Sequence, residues 1–222
     1  MQAQNKLEKF RKQNRNYLYP SFDTIAGTGK NGAIVHYRAK PENCRIIKKK
    51  DIFLCDSGGQ YKYGTTDVTR TLCFSKQSQN IKNIFTKVLK GHIAVANFKL
   101  KKSTFGSEID VKARKYLKKV GLNYAHGTGH GVGSFLGVHE GPQSISKNFN
   151  KSELKEGMVL SNEPGYYKSD CYGIRIENLL LIIPSRYRGF LEFRNLTLFP
   201  YEKQLIDLEK ISVSMTINST AA

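Results

Sequence analysis

The chain has 222 residues, 39% of them hydrophobic and 11% aromatic, a composition that predicts one folded domain and excludes a disordered chain. The longest aliphatic run covers only residues 179–183, far short of the roughly 20 apolar residues of a transmembrane helix, so no membrane partner is expected. The formal charge of +18 would suit nucleic-acid binding, but the basic residues are spread along the whole chain without a recognition pattern, so nucleic acid is a disfavoured partner.

The first part of the chain predicts a helix, a turn and a strand. Residues 1–18 form a charged stretch with a thin apolar stripe, which is typical of a helix that ends before Pro20. This stretch lacks the apolar core of a secretory signal, and the four cysteines form no CxxC pair, so we expect reduced thiols and a cytoplasmic location. Gly-containing turn signals follow, and then alternating apolar residues predict a strand that carries His36.

A hairpin is predicted over residues 51–74. An apolar run ends at Asp56, a Ser-Gly-Gly break follows, and a second run then alternates between two faces. On this second strand four residues are predicted to share one face: Thr65, Asp67, Thr69 and Thr71.

Two helices are predicted after the hairpin. The first begins at Ser78 and has apolar residues at helical spacing, with His92 on the apolar face, where we interpret this histidine as part of the core. The second begins at Ser107, because Asp110 three residues later resembles a capping arrangement, and it ends at Gly121.

The remaining sequence is first Gly-rich and then strand-like. Strands are predicted over residues 158–163, 173–183 and 190–198, and residues 211–222 read as an unpacked tail. Because helices and strands partly alternate and partly occur in runs, the predicted fold class is α+β, a single domain with a mixed or antiparallel sheet.

Four acidic residues lie in or at the ends of apolar strands, where solvated charges are not expected: Asp56, Asp67, Glu163 and Glu177. Each of them alone could be paired with a basic neighbour, because a buried carboxylate needs a cation nearby. As a group they favour a different interpretation. Several carboxylate oxygens together with a histidine suit a hard divalent metal ion.

Three of the five histidines lie in one Gly-rich stretch between positions 126 and 139: His126, His130 and His139. A lone histidine is more often structural than functional. Three of them, separated by small residues, indicate side chains that are presented to a cleft, and one of them is the candidate metal ligand.

Five segments of the sequence resemble the catalytic domain of aminopeptidase P, the Xaa-Pro aminopeptidases of the pita-bread metallopeptidase family. In chain order they are NGAIVHY, DSGGQYKYGTTDVTRT, HGTGHGVGSFLGVHEGP, SNEPGYY and GIRIEN. The similarity covers residues 19–207 and implies a pita-bread fold, a curved and mostly antiparallel sheet covered by helices. It leaves residues 1–18 as a charged N-terminal helix or tail and residues 208–222 as a loosely packed tail.

The resemblance implies a centre with two divalent metal ions. Its ligands would be Asp56, Asp67, His130, Glu163 and Glu177, with Asp67 and Glu177 bridging. Manganese is the usual metal of the family and agrees with the carboxylate-rich ligand set, while zinc and cobalt stay open as alternatives. Two such ions can lower the pKa of a shared water and stabilise the oxyanion formed from a peptide carbonyl.

Catalytic and substrate-binding roles are implied for four residues near the metal ions. Glu163 would accept the proton of the attacking water. His36, His126 and His139 would lie on the substrate side. His126 would be near the attacked carbonyl, and His139 would bind the peptide or move a proton.

Arg175 and Tyr167 are assigned a supporting role by the same resemblance. They would orient Asp56, because a carboxylate ligand needs its outer oxygen held in place. A structural ion pair is the alternative for Arg175, and both descriptions can hold together.

The implied activity is metal-dependent release of the N-terminal residue from peptides with proline in second position, and a homodimer stays open. Family members carry one or two N-terminal creatinase-like domains that this sequence lacks, so proline selectivity and assembly are open as well. The alternative is a truncated or inactive pita-bread remnant that binds protein or nucleic acid, which the intact ligand positions disfavour. Methionine aminopeptidase is disfavoured by the VHEGP block, and creatinase by the presence of the metal ligands.

Overall fold

The computed structural model of the chain describes residues 1–211. Three α-helices occur in this part of the chain, α1 Gln2–Arg11, α2 Gln79–Ala96 and α3 Gly106–Lys118. The strands are short, and most are joined by tight turns. In chain order they are β1 Tyr17–Pro20, β2 Ile25–Thr28, β3 Ile52–Ser57, β4 Gly59–Tyr61, β5 Gly64–Thr65, β6 Val68–Cys73, β7 Lys99–Lys101, β8 Gly129–His130, β9 Ser144–Ile145, β10 Val159–Asn162, β11 Gly165–Lys168, β12 Tyr172–Arg175, β13 Asn178–Pro184 and β14 Phe190–Asn195.

Two antiparallel sheets form the framework of the molecule. One has the order β2-β3-β6 and the other the order β10-β13-β14-β7. A smaller sheet, β1-β4-β5, and two ribbons, β8-β9 and β11-β12, complete the pairing, and all these pairs are antiparallel. The predicted α+β class is therefore confirmed. No helix within residues 1–211 is long and apolar enough to cross a membrane.

Helices α2 and α3 pack against each other and cover the sheets. Gly91 makes their close approach possible, because a Cβ at this position of α2 would lie 2.1 Å from the carbonyl oxygen of Ala113 on α3. One buried apolar cluster joins α2 to β12, and a second joins α3 to β10 and β13. Each large apolar side chain buried in these clusters contributes about 1.5–3 kcal/mol.

The predicted hairpin is present, with one difference. Strands β3 and β6 pair antiparallel, and Asp56 lies opposite Thr69. The predicted second strand is divided, because Gly64 and Thr65 pair with β4 instead. Asp67 therefore lies just before β6 rather than inside a continuous strand.

The N-terminal predictions need two corrections. Helix α1 ends at Arg11, because the side chain of Asn14 accepts the N–H of Asn16 in a local turn that competes with the helix. The chain then enters β1, which pairs with β4, so the end of the predicted helix is a strand. His36 lies in a turn and not in a strand, since a 3₁₀ helix, Gly29–Ala33, precedes it.

The two long helices were predicted in the correct places, but the cap of the second was wrong. Ser78 caps α2 by accepting the N–H of Ile81, and His92 is buried as predicted. Helix α3 begins at Gly106, and the Glu108 carboxylate accepts the N–H of Phe105. Asp110 is not part of this cap, because it is buried in an ion pair of its own.

The C-terminal strands are shorter than predicted. Strand β10 ends at Asn162, and the long strand predicted over 173–183 is interrupted between β12 and β13, where Glu177 lies. After β14, Ile211, at the start of the tail predicted over 211–222, packs against the first apolar cluster. The remainder of this tail, 212–222, lies outside the described residues.

Candidate metal centre

All five predicted metal ligands line one pocket. They come from five different places in the fold, and most lie at or just beyond a strand end. Asp56 belongs to β3 and His130 to β8. Asp67 precedes β6, Glu163 follows β10, and Glu177 joins β12 to β13.

Hydrogen bonds between β6 and the segment that runs from β12 to Glu177 bring these strand ends together. The N–H of Glu177 donates to the carbonyl oxygen of Thr69 at 3.1 Å. Thr71 and Arg175 bond reciprocally, since the Thr71 hydroxyl donates to the Arg175 carbonyl and accepts the Arg175 N–H, both at 3.0 Å. Carboxylates from different parts of the fold therefore line the same pocket.

The donor atoms of three of these residues lie close enough to share a cation. One ligand atom each of Asp67, His130 and Glu177 lies within 4.8 Å of the other two. The Nε2 atom of His130 is 3.4 Å from a carboxylate oxygen of Asp67 and 3.4 Å from one of Glu163. Its Nδ1 atom is 3.0 Å from the Gly131 carbonyl, which can only accept, so Nδ1 carries a proton and Nε2 is the ring nitrogen that faces the carboxylates.

The electrostatics of the carboxylates fit divalent cations. One oxygen each of Asp56 and Asp67 is buried without a hydrogen-bond partner. Burial raises the pKa of Asp56 to about 6, despite the nearby Arg175, and raises the pKa of Glu163 to about 7. Burial, followed by the charges of Asp67 and Asp56, raises the pKa of Glu177 well above its usual range. Oxygen-rich donors that repel one another in this way suit hard cations.

Arg175 and Tyr167 lie beside Asp56, where the resemblance placed them. Arg175 donates to Asp56 from Nη2 at 2.6 Å and to the Tyr167 hydroxyl from Nη1 at 2.6 Å. The guanidinium is 2% exposed, so this pair is shielded from solvent. A buried, bidentate-capable cation of this kind holds an acceptor oxygen in a fixed direction.

The three histidines that the resemblance places on the substrate side line the same pocket. His126 lies 2.9 Å from the Tyr167 hydroxyl through Nε2 and 2.7 Å from the Gly127 carbonyl through Nδ1. Burial lowers the pKa of His126 to about 4, so its ring is neutral at physiological pH. The His139 ring contacts that of His130, with centroids 4.2 Å apart, and His36 lies in an exposed turn at the pocket wall.

Two further residues hold the centre and were not singled out from the sequence. The Thr69 hydroxyl donates to Glu177 at 2.7 Å and accepts from Arg175 at 3.2 Å. The Ser161 hydroxyl donates to Glu163 at 3.1 Å and accepts the N–H of His130 at 3.0 Å. The shared face predicted for Asp67 and Thr69 could have indicated the role of Thr69, whereas nothing in the sequence pattern marks Ser161.

The sequence matches the profile of Metallopeptidase family M24 over residues 1–184. The chain belongs to this metallopeptidase family. It is 48% identical over 219 residues to a Probable Xaa-Pro aminopeptidase P from Laccaria bicolor, a match that covers 95% of this chain and 34% of the relative. It is also 48% identical over 215 residues to Aminopeptidase P2 from Arabidopsis thaliana, covering 94% of this chain and 30% of that protein.

Two solved structures of peptidases share the fold of this M24 chain. X-prolyl aminopeptidase from Caenorhabditis elegans, described as a cytosolic enzyme with a di-nuclear active site, superimposes with a TM-score of 0.93 at 37% identity. That match covers 96% of this chain and 36% of the other. Prolidase from Pyrococcus furiosus has a TM-score of 0.79 at 30% identity, covering 90% and 55%. The predicted resemblance and the pita-bread fold are confirmed.

The M24 chain spans about a third of the length of the curated relatives it matches. These relatives are named as Xaa-Pro aminopeptidases or aminopeptidases P, and the two structures as an X-prolyl aminopeptidase and a prolidase. The alternative of a non-catalytic binding module receives no support from them.

Proposed function

We propose that this chain is the catalytic part of a metal-dependent Xaa-Pro aminopeptidase, which releases the N-terminal residue from peptides with proline in second position. The observation that carries the proposal is the convergence of five metal-ligand side chains and three histidines on one pocket. The M24 family match and the names of the relatives support the same reaction class.

Two divalent cations fit the donor set described above. Asp56, Asp67, His130, Glu163 and Glu177 would hold them, with Asp67 and Glu177 shared, and manganese is the metal we favour over zinc or cobalt. When bound, the cations supply a water of lowered pKa and positive charge opposite the developing oxyanion.

Glu163 is the proton acceptor in this proposal. Burial raises the pKa of this carboxyl to about 7 in the metal-free chain, and a bound cation would lower it, so the carboxylate would be ionised and able to accept a proton. The hydroxyl of Ser161 donates to Oε1 of Glu163 and fixes the direction of the carboxylate. Glu163 can therefore take the proton from the attacking water and release it towards the leaving amine.

The histidines bind the peptide on the open side of the pocket. His126 is neutral and its ring is held by Tyr167 and Gly127, so it can face the attacked carbonyl without a positive charge of its own. His139 is placed to hydrogen-bond the peptide or pass a proton, and His36, which lines the same pocket, would also contact the substrate.

Arg175 and Tyr167 act through Asp56. The guanidinium donates to the carboxylate and to the phenol at the same time, so one rigid group determines both positions. With one oxygen of Asp56 held by Arg175, the other is left to bind a cation.

We further propose cytoplasmic activity. We propose residues 17–207 as the catalytic domain, which adds the first two residues of β1 to the range 19–207 expected from the sequence. This strand pairs with β4 and so belongs to the fold, while residues 1–16 precede it as a helix and a turn. A homodimer is compatible with this arrangement, and we propose no nucleic-acid or membrane role.

The test is hydrolysis by the purified chain. Samples loaded with Mn²⁺, Zn²⁺ or Co²⁺, and one treated with a chelator, receive an Xaa-Pro-Pro peptide and a Met-Ala peptide. We expect release of the first residue from the Xaa-Pro-Pro peptide in the metal-loaded samples only, fastest with Mn²⁺. A folded, metal-loaded chain that cleaves neither peptide contradicts the proposed activity, and equal cleavage of both contradicts proline selectivity in this chain.

A further inference from the structure

Helix α3 contains an ion pair that is almost completely buried. Asp110 and Arg114 are one helical turn apart, and their side chains are 2% and 1% exposed. Nε of Arg114 donates to Oδ2 of Asp110 at 2.6 Å. Removing two charges from water is expensive, and a buried pair often stabilises a protein no better than apolar residues of the same volume. Stability alone therefore gives no reason for this pair.

The remaining donors of Arg114 all point at one loop. Nη1 donates to the carbonyl of Tyr124 at 2.6 Å and to the side chain of Asn123 at 2.9 Å. Nη2 donates to the carbonyl of His126 at 2.8 Å. The guanidinium also lies over the Tyr124 ring, 3.9 Å from its centroid. One planar group thus holds the backbone on both sides of residue 125.

Asp110 holds the far end of the same loop. The Thr128 hydroxyl donates to Oδ1 of Asp110 at 2.6 Å. The Tyr124 hydroxyl lies 2.5 Å from the Thr128 hydroxyl. Because the proton of Thr128 is already used, Tyr124 is the donor in this second hydrogen bond. The carbonyl of Thr128 then accepts the N–H of Glu163 at 2.7 Å. Through Thr128 the ion pair reaches the residue proposed as the general base.

We infer that the Asp110–Arg114 pair is a positioning device for the catalytic centre. It holds residues 123–128 so that His126 and Glu163 keep their relative places in the pocket. Neither member of the pair lines the pocket, so they touch no substrate and act only through the loop. The inference rests on the proposed function for the roles of His126 and Glu163, whereas the ordering of the loop can be measured without activity.

Two variants separate the loop contacts from the charge. Arg114→Lys keeps a positive charge beside Asp110 but lacks the planar fork that reaches two carbonyls. The double variant Asp110→Leu with Arg114→Met replaces the pair by apolar side chains, which buried sites often tolerate. Ile109→Ala is the control. Ile109 is fully buried on the same helix, but it packs in the second apolar cluster, the one that joins α3 to β10 and β13.

The measurements are metal content, amide hydrogen exchange of the metal-loaded protein, and kcat and KM on an Xaa-Pro-Pro peptide. In both pair variants we expect two metals per chain, faster exchange at residues 124–128 and at the Glu163 N–H, and a kcat lowered about 10- to 100-fold with less change in KM. Ile109→Ala should keep its kcat and its loop protection.

Unchanged exchange of the loop in a folded pair variant overturns the inference, and so does a loss of kcat in Ile109→Ala as large as in Arg114→Lys. If the wild type is inert on every peptide, the proposed function fails, and the exchange data still decide whether the pair orders the loop. If Arg114→Lys fails to fold, the double variant decides, since it removes the charges together with the contacts.

Discussion

Glu163 lies where a buried carboxylate can act as both ligand and base, and its substitution tests that double role. Glu163→Gln keeps the shape but removes the charge and the basic oxygen. We expect kcat on an Xaa-Pro-Pro peptide to fall by about 10²–10⁴, with substrate binding less affected. Glu156→Gln is the matched control, because Glu156 is exposed and away from the pocket. A Glu163→Gln variant with wild-type kcat would exclude this residue as the base.

Tyr167 supports the centre through a single hydroxyl group. Tyr167→Phe removes the acceptor of Arg175 and the partner of His126 while keeping the ring. Loss of such an outer contact should lower activity or metal affinity about 10- to 100-fold, as measured by kcat/KM and metal titration. The neighbouring variant Tyr166→Phe should change neither. Equal effects of the two variants would show that the Tyr167 hydroxyl has no particular role at the centre.

At the scale of elements, the ligands depend on strand register. Asp67 lies between two fixed points of the chain. On one side the N–H of Thr66 donates to the Gly59 carbonyl, and on the other Thr69 lies opposite Asp56 in the β3-β6 pair. One alanine inserted between Asp67 and Val68 moves Asp67 one residue further from Thr69, whose pairing with Asp56 fixes the register, and so takes the carboxylate away from the other ligands. We expect this insertion to abolish metal binding, as measured by metal content after dialysis.

The control insertion lies between Lys62 and Tyr63, in the exposed turn between β4 and β5. It should be absorbed by the turn and leave metal content unchanged. Full metal binding in the Asp67 insertion, with a folded protein, would contradict the dependence on register.

His92 joins helix α2 to the strand that leads to Glu163. Its Nδ1 lies 3.0 Å from the Asn162 carbonyl, and its Nε2 lies 3.1 Å from the Tyr201 hydroxyl. The carbonyl can only accept, so Nδ1 donates and Nε2 accepts from Tyr201, which requires a neutral ring. Burial, followed by the charge of Arg70, lowers the pKa of His92 to about 3.

This neutral ring predicts a pH-dependent stability. The unfolded chain binds a proton at His92 below a pKa of about 6.5, while the folded chain does not until about pH 3. The stabilisation is therefore complete above pH 6.5 and is lost as the pH falls. Relative to His92→Gln, the free energy of unfolding of the wild type should drop by about 2 kcal/mol more between pH 7 and pH 5 in urea titrations. Parallel losses in the two proteins would show that His92 does not carry this effect.

The elements differ in how far sequence could predict them. Helix α2 has a long apolar period and a serine cap, so its place and its core histidine followed from local pattern. The break at Glu177 could not be predicted from local pattern, because it comes from hydrogen bonds to Thr69 on β6, far away in the chain. The capping pattern at Ser107 was misleading for a similar reason, since Asp110 is used by Arg114 and Thr128 instead.

The fold class of the whole molecule and the residues that line the pocket could be predicted from the sequence, whereas the contacts around the pocket could not. The ligand residues stand in short motifs that carry a family resemblance, so their roles could be proposed before any geometry. The residues that hold them, such as Ser161 and Thr128, are small polar side chains in apolar strands or loops. Their function depends on partners far away in the chain, and a single sequence contains no signal for such pairs.

We propose that five side chains of this chain hold two divalent cations in one pocket. The most direct test is a crystal structure of the Mn²⁺-loaded chain with anomalous data collected at the manganese edge. We expect two anomalous peaks about 3.5–4 Å apart, in contact with Asp56, Asp67, His130, Glu163 and Glu177. A single peak, or peaks bound by other residues, would contradict it.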